Sequence, residues 1–134
     1  MGGSRHQGRE LALKSLFELE TSGDEPAEVV AYQVAEEGAP PAAARFAEQL
    51  VKGVLAHHEQ LDRVIAETSE HWRLDQIAKV ERIVLQIAVY EIAVLREVPE
   101  KAAINEAIEL AKTFSGDEAG RFVNGILGKV AAGT

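Results

Sequence analysis

Lys79-Val80-Glu81-Arg82-Ile83-Val84-Leu85-Gln86-Ile87-Ala88-Val89-Tyr90-Glu91-Ile92-Ala93-Val94-Leu95 is the stretch on which the fold turns. Val80, Ile83, Val84 and Ile87 recur at steps of three and four and make one helical face, while Leu85, Ala88, Val89 and Ile92 make a second. A helix apolar on two faces has to be covered on both, so it belongs at the centre of a helical packing. Ile83 to Leu95 is interrupted by Gln86 and Glu91 and falls far short of the roughly 20 residues that cross a bilayer. Asp75 stands where a side-chain cap satisfies the first free amides, and Val98-Pro99 ends the segment, which predicts one helix over residues 75–97.

The same period continues on both sides. Toward the C-terminus, residues 102–114 place Ile104, Ala107, Ile108 and Ala111 on one stripe. Ser115-Gly116-Asp117-Glu118 has capping-box spacing, and a last helix follows with Val123, Ile126, Leu127 and Val130 inward. Asn124-Gly125 is a hairpin-turn dipeptide when its flanks alternate, but here they repeat every three or four residues, so helix wins.

Toward the N-terminus, helices are predicted over residues 60–69, 42–58, 26–37 and 5–21. They carry Leu61, Val64, Ile65 and Thr68; Phe46, Leu50, Val54 and Leu55; Val29, Val30 and Val34 inward; and Leu13, Leu16 and Phe17 on one stripe. Gly23 with Pro26, and Gly38 with Pro40-Pro41, punctuate them. The pattern lapses around Trp72, which puts a joint near residues 70–75. The expected fold is all-α, about seven helices in two packed subdomains, 1–72 and 73–134.

Composition narrows the function. Fourteen basic against 22 acidic residues give a net charge of −8, unlike a protein that coats nucleic acid by charge alone. Any RNA site is then a local basic patch on a body that suits a basic protein partner. With no cysteine, disulfides and thiolate metal sites are excluded, and the start of the chain has no apolar run of a secretory signal. A soluble cytoplasmic protein is expected.

Catalytic and metal constellations are missing from the pattern. Adjacent His57 and His58 point about 100° apart on a helix and cannot share an ion, while His58 and Asp62 have ligand spacing but suit a solvated face equally. Gly116 to Gly120 lacks the Lys and Ser/Thr of a phosphate loop. No enzyme, cofactor or metal is expected.

Two groups of residues remain. Arg5 and Arg9, with His6, share one face at a helix start, where backbone amides also favour anions; an ordinary charged terminus reads the same way. Arg121-Phe122-x-Asn124 combines a cation, a ring and an amide, the set that pairs phosphate, stacks on an unpaired base and reads a base edge. Phe122 completing the core is the alternative. Gly120, Gly125 and Gly128 in one helix each cost about 1 kcal/mol against Ala, which suggests close approach of a neighbouring helix or a ligand.

The stretch Val98-Pro99-Glu100-Lys101-Ala102-Ala103-Ile104-Asn105-Glu106-Ala107-Ile108-Glu109-Leu110-Ala111-Lys112-Thr113-Phe114, followed by Arg121-Phe122-Val123-Asn124-Gly125-Ile126-Leu127, resembles the signature of the NusB family of transcription antitermination factors. Val80 to Leu85, Tyr90-Glu91 and Arg9 to Ala12 extend the resemblance over nearly the whole chain. It implies an all-helical factor that binds single-stranded boxA RNA of ribosomal leader transcripts together with NusE, a small-subunit ribosomal protein. The pair acts in the elongation complex with RNA polymerase.

Carried over position by position, the resemblance implies RNA binding at Arg5, Arg9, Arg121, Phe122 and Asn124, and NusE binding at Glu81 and, more loosely, Phe17. Where family members often begin with consecutive arginines, this chain reads Arg5-His6-Gln7-Gly8-Arg9, and Gly8 is expected to weaken the helix start. The same helical domain also occurs as the RNA-binding module of rRNA cytosine methyltransferases. A chain ending at Thr134 favours the stand-alone factor. A homodimer that hides the RNA face is the remaining reading.

Overall fold

The computed structural model describes residues 3–69 and 72–133. Among them lie seven α-helices and no strand: α1 (Gly3–Ser22), α2 (Pro26–Glu37), α3 (Pro41–Ala56), α4 (His58–Thr68), α5 (Lys79–Val89), α6 (Glu100–Ser115) and α7 (Asp117–Ala132). A 3-10 turn (Leu74–Gln76) precedes α5 and a π-helical turn (Tyr90–Leu95) follows it. Packing divides the chain into two compact units, Met1–Ala56 and His57–Thr134. The sequence places the joint at residues 70–75, of which Glu70 and His71 lie outside the described residues; α4 packs on α5 and α7.

In the first unit α1, α2 and α3 pack on one another, with α1 and α3 in the most extensive contact. Pro41 opens α3 and Pro26 stands in the first turn of α2, where the missing N–H is not needed. Leu11, Leu16, Val30, Phe46, Leu50 and Val54 are buried. The Lys14 ammonium pairs with the Glu37 carboxylate and ties α1 to α2.

In the second unit α5 packs on α4, α6 and α7, and every residue from Ile83 to Ile92 is buried. The two-faced pattern thus has its expected consequence. Gln86, the polar break in that pattern, donates from Nε2 to Asp62 Oδ1 at 2.8 Å and so joins α5 to α4.

Three local expectations are corrected. The single helix over 75–97 is divided, because Asp75 does not cap α5. It lies in the 3-10 turn, 3.2 Å from Arg73 Nε, and α5 begins after Ala78. At the other end the ladder widens to five-residue bonds, with Arg96 N–H donating to Glu91 O at 2.9 Å, and Arg96 closes the turn at φ 56°. The Ser115 capping box does not form, since Ser115 completes the last turn of α6. Gly116 alone links α6 to α7 at φ 92°, ψ 176°, a conformation open to glycine and to few other residues.

Candidate nucleic-acid interface

On α1, Gly8 faces α3 with no room to spare. A Cβ there would stand 2.9 Å from Phe46 Cδ2 and 3.1 Å from the Ala43 carbonyl oxygen. The missing side chain therefore brings α1 close over Phe46, and the two arginines one helical turn apart close on the ring. The guanidinium carbons of Arg5 and Arg9 lie 4.6 and 5.3 Å from its centroid.

Such a cation over a ring contributes about 0.5–1 kcal/mol at an exposed site and about 2 when desolvated. Arg9 is only 4% exposed while Arg5 is part-exposed, so the two cannot serve identically. Gly8, read from sequence as a weakness, is what lets this arrangement form.

On α7, Arg121, Asn124, Gly125 and Gly128 are exposed and recur at helical spacing. Among the described residues, nothing beyond the helix's own nearby backbone lies within 4 Å of a Cβ built on Gly125 or Gly128. Among the described residues, the close approach expected of these three glycines holds at Gly120, whose Cβ would meet Lys112 and Ile108 of α6. Val123, Ile126, Leu127 and Val130 are buried. Phe122 is half-buried, meeting Trp72 edge to face with ring centres 6.2 Å apart and planes at 87°.

Glu81 and Phe122 line one cleft of about 180 Å³ with Trp72, Gln76, Ile77 and Ala78. In the first unit Phe17 is 43% and Tyr32 57% exposed. Beside them a cleft of about 230 Å³ is lined by Glu18, Asp24, Glu28, Val29 and Tyr32. Sequence reasoning missed this acidic cleft because the turn between α1 and α2 breaks any period linking its carboxylates. It also missed Phe46, read only as core, and Trp72, read only as a lapse in the pattern. The signal at Trp72 was the lone large ring in a polar joint.

His58 and Asp62, spaced like ligands, contact each other at 3.2 Å, and Asp62 is further held by Gln86. Among the described residues no group of three His, Cys, Asp or Glu side chains could hold a metal, and no helix is long and apolar enough to cross a membrane.

A family model described as the NusB family matches residues 6–132. The transcription antitermination protein NusB of Symbiobacterium thermophilum is 44% identical, over 97% of this chain and 90% of its own. That of Bacillus subtilis is 43% identical, over 94% of this chain and 93% of its own. Among solved structures, the antitermination factors NusB and NusE in complex with double-stranded RNA match with a TM-score of 0.90 at 27% identity, covering 100% of both chains. NusB of T. maritima matches at 0.86 and 29% identity, over 96% of this chain and 90% of its own.

Proposed function

The chain belongs to the NusB family, and from that premise we propose that it is an RNA-binding transcription antitermination factor. It takes up boxA RNA together with NusE and works by binding, in the cytoplasm, within the elongation complex. The observation that carries this reading is the likeness, over the full length of both chains, to a NusB solved with NusE and RNA.

The local geometry supports a division of labour. Arg5 and Arg121 pair with phosphates, Phe122 offers a ring to an unpaired base, and Asn124 reads a base edge. Arg9 is buried against Phe46, the same ring over which the Arg5 guanidinium lies. Glu81 and Phe17 meet NusE, which as a ribosomal protein is basic and complements a chain of net charge −8.

A titration of boxA RNA with and without NusE tests the reading as a whole. Binding that is tighter with NusE is expected, and no binding in either case removes the function. Within that assay, Phe122→Ala is expected to lose about 1–3 kcal/mol of RNA affinity. Because the ring is half-buried, its melting curve shifts by less than the roughly 3–5 kcal/mol that a core phenylalanine costs. An unchanged affinity with a core-sized loss of stability returns Phe122 to the core. Arg121→Ala removes one phosphate contact, so affinity falls for all sequences and the salt slope shrinks by about one.

Glu81→Lys is expected to weaken NusE binding by about 1–3 kcal/mol through charge reversal, with folding little changed. Calorimetry showing equal affinity for variant and parent takes Glu81 out of that interface.

A further inference from the structure

Trp72 is the chain's single tryptophan, and 51% of it stays exposed although burying so large a ring is strongly favourable. It stands two residues before the 3-10 turn, with its ring edge-to-face against Phe122 of α7. The cleft that the two rings share holds about 180 Å³, below the roughly 300 Å³ at which sites for whole small molecules begin. One flat ring matches that volume. Because the two rings stand at 87°, a planar guest can lie on one face and meet the other ring at its edge.

The polar lining narrows the guest further. Gln76 Oε1 accepts the Arg73 backbone N–H at 2.9 Å, so its amide nitrogen is the donor of that side chain toward a guest. Glu81, an acidic residue, lines the same cleft. A phosphate is repelled there, whereas a base edge carrying an N–H donor beside an acceptor is matched. Arg121 precedes Phe122 on α7 and is exposed, available for the phosphate of the same nucleotide.

We propose that this cleft receives one unpaired RNA base, stacked on Trp72 and donating an N–H to Glu81. The proposal rests on the RNA-binding reading and adds a base-binding residue, Trp72, to it. A cationic side chain of a protein partner also suits a carboxylate beside a ring. Continuity with the exposed Arg121 and Asn124 on the same helix favours the base. Glu81 then belongs to two contacts and Trp72 to one, so the test is made on Trp72.

Since the chain has one tryptophan, its emission reports this cleft alone. The full chain is titrated with boxA RNA, and with oligoadenylate, oligocytidylate and oligouridylate of equal length, reading both RNA anisotropy and tryptophan emission. Quenching that follows binding is expected, whichever of these RNAs is bound. Trp72→Ala is expected to weaken boxA binding about five- to hundredfold, and Trp72→Phe, which keeps a ring, by less.

If RNA binds and Phe122→Ala weakens it, while emission stays constant and Trp72→Ala matches the parent, this proposal is overturned and the RNA-binding reading stands. Emission that responds to NusE alone and not to RNA gives the cleft to a protein side chain and overturns it too. A parent that binds no RNA removes both. Should Trp72→Ala fail to fold, the emission of the parent decides.

Discussion

Ile87→Asp yields a chain that does not fold. Ile87 is 2% exposed on α5, the helix on which α4, α6 and α7 of the second unit all pack. Losing a buried isoleucine costs about 2–5 kcal/mol through lost transfer and the cavity left behind. The carboxylate adds the larger cost of an uncompensated buried charge. Domains are stable by only about 5–15 kcal/mol, so the two together remove most or all of the margin. Ile87→Val, which keeps the shape apart from one methyl, is expected to cost only about 0.5–1.5 kcal/mol. Circular-dichroism melting of the three proteins checks both. A cooperatively melting Ile87→Asp chain with the parent's midpoint takes α5 out of the centre.

That α5 is central was legible because a helix with two apolar faces is stable in water only when neighbours cover both. The outer helices were legible from punctuation, since proline opens α2 and α3, and Gly23 and Gly38 stand after the ends of α1 and α2. The misread places are those where two local solutions compete. Asp75 has the chemistry of a cap, but Arg73 and Gln76 close a tighter turn around it, and no periodicity distinguishes the outcomes. Ser115 could cap α7 or finish α6, and the one-residue link through Gly116 decides for the second. The widening of the ladder from Tyr90 to Leu95 leaves the apolar spacing almost unchanged, so it has no sequence signature.

The candidate site divides in the same way. Arg121, Phe122 and Asn124 stood out because a cation, a ring and an amide on one short stretch are rare in a helix built for packing alone. Phe46 carried no such mark. Its role depends on what lies across from it on α1, and tertiary contact is what a single sequence conceals. Gly8 shows this most sharply, because helix propensity and packing give its substitution opposite signs.

Phe46→Ala therefore tests more than a core position. Phe46 is 7% exposed, and its truncation is expected to cost about 3–5 kcal/mol of stability. It also takes the ring from beneath both guanidinium groups, so RNA affinity falls in the population that remains folded. Phe46→Leu keeps most of the volume without the ring, and its loss of affinity should exceed what its smaller loss of stability explains. Gly8→Ala supplies the opposite perturbation.

By propensity alone, Gly8→Ala stabilises α1 by about 1 kcal/mol. In the structure its methyl meets Phe46 at 2.9 Å, and overpacking of that kind costs about 1–3 kcal/mol. A net loss is expected, and the two changes should couple in part, since Phe46→Ala removes the ring atom nearest the Gly8→Ala methyl but leaves the Ala43 oxygen and the Cβ of residue 46 at 3.1 Å. Chemical denaturation of the parent, both single variants and the double variant measures that coupling. Additive losses, or a Gly8→Ala chain more stable than the parent, would mean that α1 and α3 do not approach as closely as the Gly8–Phe46 contact requires. The ring would then no longer account for the placement of Arg5 and Arg9.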